Sequence, residues 1–270
     1  MESPLLIVLI LAVVQGIAEF LPISSSGHIV ILSELLSPVD RDKLDITDLN
    51  IALHFGTLGS ILVVYRKRII ELLIEDRRMI GVLVVASIPA AVVGFLIEFY
   101  SYDDVLENAL VAGVCLIATG VILLVAARWT NVDRQANPVS YTQATLIGLS
   151  QAFAILPGIS RSGTTISTGV MLGQPRRAAA TFSFLMAIPV IGGAALLKMV
   201  LLMRDASRGE AEGATPIMLL AIGALVSFGV GYVALRYLIR LLDRGRFHWF
   251  AWWCIPVGIA VVVWQARVLF

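Results

Sequence analysis

The chain has 270 residues, of which 59% are hydrophobic and 14% are charged, and its formal net charge is +1. With a mean hydropathy of +0.91, this composition excludes an ordinary soluble domain and indicates an integral membrane protein. The small net charge argues against nucleic acid as a partner. Cys115 and Cys254 lie in apolar runs, without the spacing of a metal site or a redox pair.

The first apolar run is interrupted by a polar stretch, QGIAEFLPISSSGH, at residues 15–28. Gln15 and Glu19 are four positions apart, so they share one face of a helix. Pro22 disfavours helical geometry just before it and predicts that this helix ends there. The serine and glycine run that follows carries capping chemistry and predicts a second helix over residues 29–36. Because polar groups at membrane depth cost free energy, this stretch is predicted to be functional.

Six apolar segments of spanning or near-spanning length follow in the chain. They cover residues 51–65, 79–97, 109–127, 179–203, 215–239 and 249–268. Between the third and the fourth lies a second interrupted segment, residues 141–173, which is broken by the sequence LPGISRSGTT. The predicted fold is an all-α integral membrane protein with six transmembrane helices and two re-entrant helical hairpins.

Lysine and arginine favour the cytoplasmic side of a membrane, so the loops predict the orientation. The loops at residues 66–78 and 240–246 are rich in these residues and are predicted to be inside. The acidic loop at residues 98–108 is predicted to be outside. Six spans then place both termini outside, so that the first hairpin enters from the outside and the second from the inside.

The two interrupted segments are copies of one pattern, QGIAEFLPISSSGH and QAFAILPGISRSGT. At a single offset of 136 positions, the identical pairs include Gln15 and Gln151, Ser24 and Ser160, Ser26 and Ser162, and Gly27 and Gly163. Interrupted segments that enter from opposite faces indicate an inverted-topology repeat, here about residues 1–108 and 109–270. Such a repeat predicts a binding site near the midplane. In the alignment of the two copies, Ser25 corresponds to Arg161.

The paired loops offer helix N-termini and the positive charge of Arg161, which predict an anionic, phosphorylated ligand. Carboxylate, hydroxyl, imidazole and guanidinium groups together suit phosphoryl transfer to a protein hydroxyl or to water. Ser25 is a candidate nucleophile. Glu19 or His28 is a candidate general base, and the other of the two is a candidate acid for the leaving group.

These polar residues also have structural interpretations. Gln15 and Glu19 could form hydrogen bonds between helices, and a serine run often serves only as a helix cap. His54 lies among small residues in LHFGTLGS and is predicted to have a packing role. A transporter or flippase for an anionic lipid would also contain broken helices in an inverted repeat, and it is the main rival to hydrolysis.

Together the two polar stretches resemble the signature motifs of the bacitracin-resistance (BacA/UppP) family of undecaprenyl-pyrophosphate phosphatases. The first follows the family pattern of Glu or Gln, three residues and Glu, in its Gln form at Gln15. The second is Pro-Gly-x-Ser-Arg-Ser-x-x-Thr, from Pro157 to Thr165. The likeness covers nearly the whole chain, including its length and the order of its apolar segments.

The resemblance implies a membrane enzyme that hydrolyses undecaprenyl diphosphate to the monophosphate and inorganic phosphate. Such an enzyme recycles the lipid carrier for peptidoglycan and other cell-wall polymers, from a plasma (inner) membrane site open to the outer side. The implied catalytic residues are Glu19, Ser25, His28 and Arg161. The implied substrate-binding residues are Gln15, Ser24, Ser26, Gly27, Ser160, Ser162 and Thr165.

The resemblance also implies a divalent cation, Mg²⁺ or Ca²⁺. Glu19 is the only acidic side chain in either motif, so such an ion is expected to be bridged by the diphosphate itself. Gln15 cannot act as a base, which favours Glu19 in that role. The expected partners are the polyprenyl diphosphate and membrane lipids, and both a monomer and a homodimer stay open.

Overall fold

The computed structural model describes residues 4–35, 46–100, 106–129, 137–207 and 215–269. Within these ranges all regular structure is helical, with eleven α helices and one 3₁₀ turn at Phe247–Phe250. The α helices are α1 (Pro4–Ala18), α2 (Ser25–Leu35), α3 (Ile46–Val64), α4 (Arg66–Ile74), α5 (Arg77–Tyr100), α6 (Ala109–Ala126), α7 (Tyr141–Phe153), α8 (Arg161–Met171), α9 (Arg176–Ser207), α10 (Ile217–Asp243) and α11 (Ala251–Leu269). The predicted all-α class is confirmed.

Several of these helices have the length and composition of membrane spans. Four such stretches occur in the described residues: Arg77–Ile97, Ala109–Ala126, Ile217–Asp243 and Phe247–Arg267. Helices α3 and α4 bend by 72° around Tyr65 and make a fifth candidate if the bent pair is counted as one span. Helix α9 covers the segment predicted at residues 179–203 but is not among these candidates. The chain is therefore a multi-pass membrane protein, and the acidic loop at residues 98–108 lies partly outside the described residues.

The pairs α1–α2 and α7–α8 carry the repeat that the sequence contains. Helices α2 and α8 are both 11 residues long, and both ends of α8 lie 136 positions after the matching ends of α2. The predicted start of α2 at residue 29 is wrong, because α2 begins at Ser25. Ser24 adopts a positive φ of 68°, and the chain is helical directly after it. Ser25 therefore occupies the first turn of a helix.

Each pair packs on a helix from the other half of the chain. Helix α1 lies against α10, where a Cβ on Gly16 would come 3.0 Å from the Ser227 carbonyl oxygen. Helix α7 lies against α5, where a Cβ on Gly148 would come 2.3 Å from the Ala86 carbonyl oxygen. Small residues at such crossings allow helix backbones to approach closely in a membrane. Because each pair packs on a helix from the other half, the polar loops of the two halves lie close together.

A large buried apolar cluster lies beside this point. It contains Phe20, which follows α1, and Phe184 of α9, whose ring centroids are 5.7 Å apart. Leu235 of α10 and Phe247 of the 3₁₀ turn belong to the same cluster. Burial of such side chains contributes about 1.5–3 kcal/mol each for a protein in water. Inside a bilayer, where lipid is also apolar, close packing between helices is the larger contribution.

Candidate active site

The loops that precede α2 and α8 are in direct backbone contact. The Ser24 hydroxyl oxygen accepts hydrogen bonds from the N–H groups of Gly158, at 3.1 Å, and Gly27, at 3.3 Å. A Cβ on Gly27 would lie 2.7 Å from the Gly158 Cα, so only glycine fits there. Gly158 itself adopts a φ of 91°, in the left-handed region that favours glycine. The two copies of the repeat are therefore in contact at two positions where the backbone requires glycine.

Thr119 of α6 fixes the second loop from the other side. Its hydroxyl group donates to the Gly158 carbonyl oxygen at 2.7 Å and accepts from the Ser160 N–H at 2.9 Å. Thr119 is fully buried. In the sequence, Thr119 is marked only as a hydroxyl group within an apolar span. The motifs do not predict its contact with the second loop.

Glu19 is the centre of the site and is 7% exposed. Its Oε1 atom lies 2.5 Å from Nη2 of Arg161. Its Oε2 atom accepts hydrogen bonds from the Ser25 hydroxyl at 2.8 Å and from the Gln15 amide at 3.1 Å. The structure thus brings together Gln15, Glu19 and Ser25 from the first loop with Arg161 from the second.

Arg161 is held in place by α9. Its guanidinium lies over the Phe184 ring, with 5.9 Å from Cζ to the ring centroid, and Nη1 donates to the Ser183 carbonyl oxygen at 3.5 Å. Cation–π contacts of this kind stabilise a guanidinium where water is excluded. The arginine keeps one partner, Glu19, that a bound phosphate group could replace.

The predicted ligands next to Arg161 in the second loop, Ser160, Ser162 and Thr165, form hydrogen bonds within the protein. The Ser160 hydroxyl accepts from the Gly163 N–H at 3.1 Å, so Ser160 caps α8. The Ser160 and Ser162 hydroxyl oxygens are 3.3 Å apart. Thr165 donates to the Arg161 carbonyl oxygen at 2.7 Å, and its hydroxyl lies 2.6 Å from that of Ser183. These contacts set the conformation of the loop around the guanidinium.

His28 is directed away from the carboxylate. Its Nδ1 atom lies 2.8 Å from the Ser24 carbonyl oxygen, and its Nε2 atom accepts from Nε1 of Trp253 at 3.1 Å. The two rings also stack, with centroids 6.1 Å apart. Both imidazole nitrogens are therefore engaged, and no hydrogen bond joins His28 to Glu19 or Ser25 in the described residues.

His54 takes the position next to the carboxylate instead. Its Nε2 atom is 3.5 Å from Oε2 of Glu19, and its Nδ1 atom is 2.8 Å from the Asn50 carbonyl oxygen. The packing role predicted for His54 from its small neighbours does not account for this contact. The signal that could have found it is an ionisable residue within an apolar segment, which is a functional candidate in membrane proteins.

The cluster offers few oxygen ligands for a divalent cation. Glu19 is the one carboxylate in the cluster, and Oε1 of Gln15 is a buried oxygen without a hydrogen-bond partner. The described residues contain no group of three or more His, Cys, Asp or Glu side chains that could hold a metal ion. Mg²⁺ and Ca²⁺ need six or more oxygen ligands, so these residues do not fit a cation held by the protein alone.

A buried carboxylate contacts both a serine and an arginine beside the first turns of two 11-residue helices, so this is an all-helical membrane protein with a candidate anion site. The chain matches the family described as Bacitracin resistance protein BacA over residues 8–260. The chain belongs to this family, and the resemblance seen in its motifs is confirmed.

Relatives in distant bacteria support the same assignment over nearly their whole lengths. The chain is 51% identical over 260 residues to an undecaprenyl-diphosphatase of Rhodopirellula baltica, which covers 96% of this chain and 98% of the relative. It is 36% identical over 263 residues to one of Pelotomaculum thermopropionicum, with 94% of each chain covered. It is 35% identical over 266 residues to one of Bacteroides thetaiotaomicron, with 95% of this chain and 97% of the relative covered.

Proposed function

We propose that this chain is an undecaprenyl-diphosphatase, a membrane hydrolase that converts undecaprenyl diphosphate to undecaprenyl phosphate and inorganic phosphate. The observation that carries the proposal is the contact of Glu19 with both Arg161 and Ser25 in one buried cluster. Membership of the family and the names of the relatives support the same reaction. By this reaction the protein would recycle the lipid carrier of cell-wall polymers.

Binding of the diphosphate begins with an exchange of partners at Arg161. The guanidinium is paired with Glu19 before substrate arrives, and phosphate oxygens can replace that carboxylate with two parallel N–H···O bonds. Helices α2 and α8 both begin at the site, at Ser25 and Arg161, so their free N–H groups can stabilise the negative charge. The exchange also frees Glu19 from its strongest counter-ion.

Glu19 then acts as the general base. Its Oε2 atom is already in hydrogen-bond contact with the Ser25 hydroxyl, at 2.8 Å, and can accept that proton or the proton of a water in the same place. The attacking oxygen forms a bond to the terminal phosphorus while the bond to the bridging oxygen breaks, and the lipid monophosphate leaves. If Ser25 attacks, water then cleaves the phosphoserine and releases inorganic phosphate.

The two histidines are assigned different tasks. His54 Nε2 faces the carboxylate, and a protonated His54 can stabilise Glu19 and give a proton to the leaving oxygen. His28 was predicted to be catalytic, and its contacts with Ser24 and Trp253 support a role in holding the first loop in position.

A divalent cation, Mg²⁺ or Ca²⁺, would enter the site as a complex with the diphosphate and neutralise part of its charge. Glu19 and the Oε1 atom of Gln15, which has no hydrogen-bond partner, would supply the oxygen ligands from the protein. No step above depends on this ion. The prediction can be tested by the dependence of activity on the cation and by phosphate binding in its absence.

The membrane arrangement proposed is six transmembrane helices and two re-entrant hairpins in an inverted-topology repeat, about residues 1–108 and 109–270. The equal lengths of α2 and α8 at the offset of 136 positions support the repeat. The distribution of arginine and lysine supports termini outside and an active site open to the outer side of the plasma membrane. A homodimer is a proposal that sedimentation in detergent can test.

The function is tested with purified protein in detergent. Phosphate release is measured from undecaprenyl diphosphate and, as a matched control, from undecaprenyl phosphate. We expect release from the diphosphate alone, because the reaction proposed here leaves the monophosphate as product. Binding of the lipid with no release from the diphosphate would contradict the proposal.

A further inference from the structure

A cavity lined by several charged side chains lies where α3 bends into α4, between α9 and α10. Its volume is about 560 Å³. Five cationic side chains line it: Lys67, Arg68, Arg177, Arg236 and Arg240. They come from three separate helices, so the cluster depends on the fold and not on one basic stretch of sequence.

The carboxylates in the cavity neutralise only part of this charge. Arg68 pairs with Glu71 at 3.1 Å and with Asp76 at 3.4 Å, and Arg177 lies 3.8 Å from Asp243. Glu71 and Asp243 are the only carboxylates among the lining residues.

Three of the cations keep no acidic partner. Arg236 donates to the Tyr232 hydroxyl at 3.2 Å, and neither the Lys67 ammonium nor the Arg240 guanidinium forms a hydrogen bond or ion pair within the described part of the chain. Like charges that converge in one cavity repel each other. A multivalent anion would remove that repulsion.

The cavity shares an aromatic wall with the active site. Phe184 lies under the Arg161 guanidinium, and Tyr65 stacks on Phe184 with ring centroids 6.2 Å apart. Tyr65 in turn lines the cavity. Tyr65 lies eleven residues after His54, so the two are about 16 Å apart along the helix axis at 1.5 Å per residue. The cavity is therefore a separate compartment, and one aromatic layer divides it from the catalytic arginine.

We propose that this cavity is a second anion site, which binds a phosphate dianion. The excess of positive charge in the lining indicates that the ligand is an anion. The choice of phosphate rests on the proposed function, because both products of that reaction carry a phosphate group. Guanidinium and ammonium groups are the usual protein ligands of phosphate. The ligand is either the headgroup of a lipid monophosphate or free inorganic phosphate.

The experiment measures binding in an Arg161→Ala background, which removes the catalytic anion ligand. In this background Lys67→Gln/Arg240→Gln is compared with Arg66→Gln/Arg244→Gln, which removes two positive charges from neighbouring positions that do not line the cavity. The probes are radiolabelled inorganic phosphate and farnesyl phosphate, each in the same detergent. Thermal unfolding confirms that both variants are folded.

We expect the Arg66 and Arg244 control to bind a probe and the Lys67 and Arg240 variant to bind it about tenfold or more weakly. Binding of inorganic phosphate alone identifies the free ion as ligand, and binding of farnesyl phosphate alone identifies a lipid headgroup. Equal binding by the two variants, or no binding by either, would overturn the proposal. Hydrolysis by the wild type is measured separately, so failure of the second site and failure of the proposed function are distinguishable.

Discussion

Nη2 of Arg161 lies 2.5 Å from Oε1 of Glu19, although 142 residues separate them in the chain. The pair is mostly buried, with the side chains 17% and 7% exposed. Removal of one partner from a buried ion pair leaves an uncompensated charge, so each loop depends on the other. The candidate site therefore exists only when both halves of the chain are folded together.

Arg161→Lys tests whether the site needs the guanidinium or only a positive charge. Lysine keeps the charge but offers a single point of contact and cannot make two parallel bonds to a phosphate group. We expect kcat/KM for undecaprenyl diphosphate to fall about 10²-fold, with Arg161→Ala falling further. If the lysine variant were as active as the wild type, the two parallel bonds from a guanidinium to phosphate would not be needed.

Ser25→Ala separates the covalent route from direct attack by water. If Ser25 is the nucleophile, we expect activity to fall about 10³-fold or more and a labelled phosphoserine to be trapped in the wild type by acid quench. Ser33→Ala, on the same helix, is the matched control and should keep full activity. Full activity in Ser25→Ala would rule out the covalent route and leave water as the nucleophile.

His54→Ala and His28→Ala should have different effects. His54 faces the carboxylate at 3.5 Å, so we expect a loss in kcat of about 10²-fold with little change in Tm. His28 is tied to Trp253, so we expect His28→Ala and Trp253→Phe to lower Tm and to change kcat less than about tenfold. If His28→Ala lowered kcat more than His54→Ala did, the catalytic role would belong to His28.

Gly27→Ala tests the contact between the two loops. The added Cβ would lie 2.7 Å from the Gly158 backbone, which cannot move as a flexible side chain can. We expect a loss of stability of about 1–3 kcal/mol, measured by thermal unfolding, together with loss of activity. Gly94→Ala is the control, because nothing lies within 4 Å of a Cβ there. Equal Tm values for the two variants would contradict the close contact.

The sequence was sufficient to predict the helical class, the two interrupted segments and most of the central cluster. The offset of 136 positions aligned the two loops, and polar side chains in an apolar stretch drew attention to Glu19. These features are visible in the sequence because a repeat and a membrane both restrict where polar residues occur. The roles of these residues stay predictions until they are measured.

The contacts that the sequence did not predict all join elements far apart in the chain. His54 and Thr119 lie in apolar helices, where the sequence does not indicate which side faces the site. The ring of His28 could point toward Glu19 or away from it, and the position of Trp253, 225 residues later, decides between them. The bend of 72° at Tyr65 contains neither proline nor glycine, so no breaker residue marks it.

The most direct test of the account measures phosphate release from undecaprenyl diphosphate by the wild type, Glu19→Gln, Arg161→Ala and the double variant. If the two loops form one hydrolytic site, each single variant should lose most of the activity, and the double variant should be no worse than the poorer single. Folding is checked by Tm in every case. Substantial activity in either single variant, or losses that simply multiply in the double variant, would contradict a single site built from Glu19 and Arg161.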